Sequence, residues 1–371
     1  MASIHGIDIL DNVKFFHRKF IVEGVVDLTA QYRNYGVAEE FANKKTISKD
    51  NKSFHHPLMV DSYDNNQLDS FFQSDSLTRN SLGQEGTSYW SIQKTGWIAD
   101  RREPGYPRGA SAEQIVDVFQ MHRNNMYKKF YENNERYRWI NPTAPNDGST
   151  AQIAPYGIPH FLVASATAAV GQNGGHPSGY SSVSGLSRTT YPMLKNWTAT
   201  ATDMSFTGGQ RKLSDMMDLM QWVSPKELES EEKPTLNYVI ESHRTPYTLY
   251  QDQMLAFKGD ADYSKDPGKF KGATATVGNG LLFRGVPWMW VDALSQQYLR
   301  DGSANAAYNS AQPVYLRDKS TWILYAAEGL FMDECEPRWS DDSHNVVNNH
   351  MDTIYQRVCF NPGANGVITF A

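Results

Sequence analysis

One long amphipathic helix constrains this chain more than any other feature. Ser111 is an N-cap candidate, and Gln114 three residues later completes a capping box. Ile115, Val118, Phe119, His122, Met126 and Phe130 follow at helical spacing, and the pattern persists to Tyr137. Such a helix has roughly 26 residues and is about 39 Å long at 1.5 Å per residue. Glu113, Asp117, Arg123, Lys128, Lys129 and Glu132 fall mostly on other faces, which leaves one modest apolar stripe. A helix of this kind is a spine, covered along one side and wet along the other.

The segment before it, residues 46–110, shows no helical period. It is rich in Ser, Asn, Asp and Gln, with aromatics scattered through it: His55, His56, Tyr63, Phe71, Phe72, Tyr89, Trp90 and Trp97. Residues 88–98, SYWSIQKTGWI, alternate loosely and read as a strand. So long a stretch with so few core positions is not a plain loop in a compact domain. A two-stranded arm resting on a neighbouring subunit accounts for both its polarity and its aromatics. On the other side of that segment, residues 1–45 read as an N-terminal arm, with a short helix over 22–30 and a break at 32–35.

After a breaker cluster at 141–149, residues 153–162 read as a strand, followed by the loop GQNGGHPSGYSS at 171–182. Leu213, Met216, Met217, Met220 and Val223 share one face of a helix over 211–223, which the acidic stretch SPKELESEEKP ends. Residues 236–241 read as a buried strand. Thr245 as N-cap and Pro246 at the first helical position open a helix that runs to Phe257. Strands are expected at 322–325, 352–360 and 367–370, the last two as a hairpin around the turn NPGANG. Helices and strands thus alternate irregularly, an α+β pattern.

Composition narrows the function classes. A length of 371 residues suggests two or three domain-sized units, and 40% hydrophobic residues suffice for real cores. The 9 Trp and 20 Tyr belong to cores or to interfaces, and composition does not separate the two. The net charge of −6, without a basic tail, argues against tight nucleic-acid binding. MASIHGIDIL has no basic segment leading into an apolar run, which argues against a signal peptide. The most apolar stretch, 161–170, is too short to span a bilayer. Cys335 and Cys359 lack zinc-site spacing and are expected as reduced thiols, with a single disulfide as the alternative.

Catalytic signatures are weak. GYSSVSG at 179–185 approaches a nucleophile elbow, but Val183 fills the second glycine position. Gly268-Lys269 lacks the rest of a phosphate loop, and Gly278 and Gly280 lack the rest of a dinucleotide fingerprint. His55 and His56 are adjacent and on a strand face opposite ways. His344 and His350, with Asp341, Asp342 and Asp352, form the best metal candidate, but their spacing reads as a solvated acidic loop. His122, on the apolar stripe, reads as a hydrogen-bonded core histidine. Arg188 either caps or pairs locally, which is the expected role, or bridges carboxylates. Neither a catalytic residue, a cofactor nor a metal is assigned.

Two phrases remain: SGLSRTTYPMLKNW at 184–197 and LLFRGVPWMWVD at 281–292. In this order they resemble the major capsid proteins of tailed bacteriophages. Gly185, Leu186, Arg188, Thr189, Thr190 and Asn196 align with that family's first phrase. Phe283, Gly285, Pro287 and Asp292 align with its second, an "FxGxP…D" hairpin. Tyr247, Tyr250 and Leu255 resemble its "YxxYxxxL" helix. Ser187 and the run Met193-Leu194-Lys195 depart from the pattern.

The resemblance implies a Hong Kong 97-like fold with an N-terminal arm (1–48), an extended E-loop (49–110), a P-domain spine helix (111–150), an A-domain (151–335) and a return to the P-domain ending in a C-terminal hairpin (336–371). It implies a structural protein with no active site, which assembles with itself into hexamers, pentamers and an icosahedral shell around double-stranded DNA. The expected place is the virion, after assembly in a host cytoplasm. Expected partners are further copies, with scaffolding, portal and decoration proteins as candidates, and no membrane. The alternatives are an encapsulin-like nanocompartment shell and a hydrolase or metal-dependent enzyme.

Overall fold

The computed structural model describes residues 30–32, 35–49, 51–59, 83–100, 112–142, 154–223, 237–258, 281–339 and 345–370. In chain order they form α1 (Gly36–Ala42), β1 (Lys45–Ile47), β2 (Ser53–Met59), β3 (Gly83–Tyr89), β4 (Ser91–Asp100), α2 (Ala112–Arg138) and α3 (Ile158–Phe161). Next come β5 (Trp197–Ala201), α4 (Gly209–Val223), β6 (Tyr238–Ser242), α5 (Arg244–Lys258), β7 (Leu281–Phe283), β8 (Val286–Trp290) and α6 (Asp292–Ser295). The chain closes with β9 (Val314–Asp318), β10 (Trp322–Ala327), β11 (Asp333–Glu334), β12 (Arg338–Trp339), β13 (Val346–Cys359) and β14 (Gly366–Phe370).

The long helix is α2, 27 residues. A straight helix about 40 Å long needs an equally long surface to cover its stripe, and β13, 14 residues, supplies about 46 Å. Met126 and Phe130 pack on Val347, Met351 and Tyr355 of β13 and on Trp97 and Ala99 of β4. His122 is half-buried and stacks on Trp97, with centroids 6.0 Å apart, rather than sitting deep in the core. The proposed cap Ser111 and the helix expected at 22–30 lie outside the described residues, apart from Ala30, which is not helical.

β13 is the axis of a six-stranded sheet. β4 runs antiparallel along one edge from Val346↔Asp100 to Tyr355↔Ser91. β10, β11 and β12 pair along the other edge, and β1 adds to β10 in parallel. A second six-stranded sheet has the order β5-β14-β9-β6-β8-β7. Every residue of β6, β9 and β14 is buried. Its core joins Ile240, Leu316, Ile368 and Trp288 to Leu213, Met216 and Met220 of α4 and Tyr250 of α5. β2 and β3 form a separate two-stranded ribbon.

Three expectations are corrected. The C-terminal hairpin does not form: β13 belongs to the first sheet, whereas β14 pairs with β5 in parallel and with β9 antiparallel in the second. Asn365 makes the turn between sheets. Its side-chain Oδ1 accepts from the Asp318 amide at 2.9 Å and the Trp322 indole at 3.0 Å, and its Nδ2 donates to Thr321 Oγ1 at 3.0 Å. The chain also leaves the second sheet between Asp318 and Trp322.

Residues 154–157 are irregular and 158–161 helical, not a strand. Pro159 sits in the first turn, where its missing N–H costs nothing. Finally, α5 opens at Arg244 ahead of the expected Thr245 cap, and His243 Nδ1 accepts from the Thr245 amide at 3.2 Å.

Candidate assembly surfaces and their polar supports

α2 covers one face of the first sheet, and its other face is only partly covered. β4 presents Ile92, Lys94, Gly96 and Ile98 there, opposite Ile354, Asp352, His350 and Asn348 of β13. Ile92 is 50% and Ile98 61% exposed. A half-buried antiparallel strand normally alternates apolar inward and polar outward. β4 instead places isoleucine outward twice. On the second sheet, the β7–β8 hairpin turns Leu282, Pro287 and Met289 outward.

The ribbon closes the far end of the open face. Phe54 of β2 and Trp90 pack on Tyr325, Ala327, Ile354 and Val358. Ile354 and Val358 therefore share one buried face, as their two-by-two spacing in β13 requires. Removing residues 52–93 as a dispensable arm would delete Phe54 and Trp90 from the subunit core and cut into β4. The root of the arm thus belongs to the subunit core.

Between the two sheets lies a cluster of six charges that sequence reasoning missed. Arg138, in the last turn of α2, bonds Glu40 of α1 at 2.8 Å, Glu241 of β6 at 2.7 Å and Glu135 at 3.3 Å. Arg317 of β9 bonds Glu241 at 2.5 Å, and Arg357 of β13 bonds Glu40 at 2.6 Å. Three guanidinium groups thus meet three carboxylates. Remaining valences are filled: Glu135 accepts from the Val37 amide and the Trp139 indole, and Arg357 donates to the Tyr156 carbonyl. Burial alone would raise the Glu40 carboxyl, but Arg357, Arg138 and Arg317 outweigh it and hold its pKa at about 2. Glu241 is likewise held below the usual carboxylate range, by Arg138 and Arg317 against its burial. The cluster ties α1, α2 and both sheets into one body.

The first phrase folds into a loop around Arg188. This side chain is 1% exposed, yet it meets no carboxylate among the described residues. Its guanidinium donates to the carbonyls of Gly175 and Phe161, each at 2.5 Å, and to Asn196 Oδ1 at 3.4 Å. Burial lowers its pKa to about 10, which keeps it charged at neutral pH. Arg188 therefore joins two backbone carbonyls and one side-chain amide oxygen from three segments, and neither the carboxylate bridge nor a merely local cap describes it. Asn196, wholly buried, exchanges hydrogen bonds with the backbone of Val163. Leu186 is buried, Gly185 has φ +77°, and Thr189 and Thr190 are exposed.

The second phrase is the β7–β8 hairpin. Phe283 pairs with Val286, so the turn is Arg284-Gly285, with φ of 50° and 84°. Positive φ at both positions is the type I′ turn that matches strand twist, and the second position favours glycine. Arg284 then reaches Asp218 of α4 at 2.8 Å. Phe283 is buried in the second core, Pro287 is exposed, and Asp292 is buried as the first residue of α6. The two phrases are brought to different places, not to one site. Of the third resemblance, Tyr247 and Tyr250 pack on Trp288.

Among the described residues, those considered for chemistry do not assemble a catalytic site. Ser181, Ser182 and Ser184 line one cavity of about 400 Å³ with His160, whose Nδ1 lies 3.0 Å from Asn141 Oδ1. No hydrogen bond joins these hydroxyls to the imidazole. Burial, with Arg188 nearby, depresses the pKa of His160 to about 3, too weak a base to activate a hydroxyl at neutral pH. Asp341, Asp342 and His344 lie outside the described residues, and no group of metal ligands forms among the described ones. Cys335 and Cys359 are both free thiols, and burial pushes Cys359 up to about 12. No described helix is long and apolar enough to cross a membrane.

No protein-family model matches the sequence, and no curated protein matches it. Solved structures do. The capsid asymmetric unit of cyanophage A-1(L) is 12% identical, covers 94% of this chain and 97% of that chain, and gives a TM-score of 0.57. The capsid of a native GTA particle is 11% identical, covers 95% and 96%, and scores 0.51. A structure of Microbacterium phage Oxtober96 is 8% identical, covers 99% of both chains and scores 0.50. Similarity at this identity resides in the fold, and it spans almost the full length of both partners. The chain therefore has the tailed-phage major capsid protein fold, the one its two phrases resemble.

Proposed function

We propose that this protein is a viral major capsid protein whose activity is assembly into hexamers and pentamers and then into an icosahedral shell around double-stranded DNA. The observation that carries this reading is the end-to-end structural similarity to the cyanophage A-1(L) capsid, 94% of one chain on 97% of the other. The outward isoleucines of β4 support it, because a subunit that works alone has no use for them.

In this reading the β2–β3 ribbon is the base of an E-loop, α2 with the first sheet is the P-domain, and the second sheet with α4 and α5 is the A-domain. Residues 1–48 serve as the N-terminal arm. The phrase residues Gly185 to Asn196 and Phe283 to Asp292 have structural roles, holding a loop and a hairpin. Contacts with neighbouring copies are modest one by one. Edge pairing by an extended segment supplies main-chain hydrogen bonds, and closure of a shell multiplies them. The net charge of −6 favours contents that are enclosed rather than gripped.

Electron microscopy with light-scattering mass on the purified chain tests this. Closed shells, tubes or hexamer and pentamer rings are expected, and shells recovered from the native source should hold DNA. A chain that stays monomeric at every concentration and salt and that forms no shells in its native source overturns the proposal. Shells holding protein cargo and no nucleic acid would instead make it a nanocompartment.

A further inference from the structure

Where the ribbon meets the subunit core, one of its buried side chains is an imidazole. His56 follows Phe54 on the inward face of β2 and is 2% exposed. Its ring stands edge-on to Phe360, with centroids 5.3 Å apart at 80°, and lies 6.3 Å from the Phe54 ring. Across the ribbon it faces Gly86, where a Cβ would come within 2.4 Å of Nε2. Only glycine leaves room for the imidazole there. Among the described residues, neither ring nitrogen has a hydrogen-bond partner. A neutral imidazole in such a place is costly, and an imidazolium with no acceptor is far costlier.

The charged neighbours offer no relief. His55, on the same strand, points outward to Thr87, its Nδ1 3.2 Å from that hydroxyl, and it repels a second positive charge. Glu85 of β3 is exposed beside Pro57, on the ribbon's other face. From β10, Tyr325 joins the cluster with its phenol raised by burial and with Lys45 5.9 Å above its ring. At the end of β13, Arg357 turns away to Glu40 and Tyr156, and the Cys359 thiol is held neutral by burial. Among the described residues no carboxylate faces the imidazole.

We propose that His56 is a pH-operated latch: neutral, it lets the ribbon lie on Phe360 and the end of β13, and protonated, it drives the ribbon off. Burial, with His55 beside it, holds the docked imidazole at a pKa of about 4, below its ordinary 6.5. A released ribbon exposes the ring to water, where it binds a proton at about 6.5. Docking is therefore at full strength above that value and weakens as pH falls towards 4. The loss is about tenfold per pH unit, on the order of a hundredfold over the window. The inference rests on the ribbon's geometry and holds whether or not the chain builds shells.

Hydrogen–deuterium exchange on the full-length chain between pH 7.5 and 4.5, corrected for intrinsic exchange, tests it. Protection in β2 and β3 should fall about tenfold per unit below pH 6.5, while β14 stays protected. His56→Phe, which keeps a ring against Phe360, should flatten that dependence, and His56→Gln serves the same purpose if the first variant fails to fold. His55→Gln should retain it. Ribbon protection that does not change with pH in the wild type, or that falls equally in the His56 variants, overturns the latch.

Discussion

Two buried polar sites in this subunit follow opposite rules. At the junction between the sheets, three arginines and three glutamates satisfy one another in near-complete burial. At the root of the ribbon, His56 is buried with nothing to bond among the described residues. The first arrangement is stable only with every partner present, so it locks its elements together. The second survives only while the group stays neutral, so it can be undone by a proton. Permanence and release are thus built from the same physics, the cost of an unpaired charge away from water.

The strongest way to break this contrast is Glu241→Ala. It strips a carboxylate from Arg138 and Arg317 at once and should cost about 3–5 kcal/mol, measured by urea denaturation. A loss below about 1 kcal/mol would mean that water already shields the junction and that it locks nothing.

Acid titration sharpens the contrast. The depressed carboxyl of Glu40 contributes stability that is complete above its ordinary pKa of 4.5 and is lost as pH falls through about 2. Loss of the sheets, followed by circular dichroism, should therefore begin below 4.5, after the ribbon has been released between 6.5 and 4. A single transition for ribbon and sheets would merge the two sites into one cooperative unit.

The smallest effect on the subunit itself should come from Ile98→Ser. With 61% of this residue exposed, thermal denaturation should register a change within about 0.5 kcal/mol. Light scattering should nevertheless show weakened assembly. A large loss of subunit stability would mean that the open face of β4 is covered within the subunit.

Much of the fold was legible. The helical period at Met126 and Phe130 identified α2, and that of Leu213, Met216, Met217 and Met220 identified α4, because burial on one face leaves a pattern in the letters. The β7–β8 hairpin was legible through the family resemblance, since Arg284 at φ 50° carries no turn signature of its own. The junction was not. Glu40 lies 98 residues from Arg138 and 317 from Arg357, and each charge taken alone reads as surface. Arg188 escaped because its partners are backbone carbonyls, which every residue carries.

The ending of the chain marks the same divide. GVITF identified itself as a strand through its apolar, β-branched run. Its partners did not follow from that run, since adjacency to β13 in sequence suggested a hairpin and Asn365 sends it into the other sheet instead. The sequence by itself determined which segments form helices and strands, and which faces of them avoid water, because those choices are made by neighbours along the chain. The tertiary structure alone decided which strands pair, which charges meet and which histidine is left without a partner. Those outcomes depend on contacts between segments hundreds of residues apart, for which no local pattern exists.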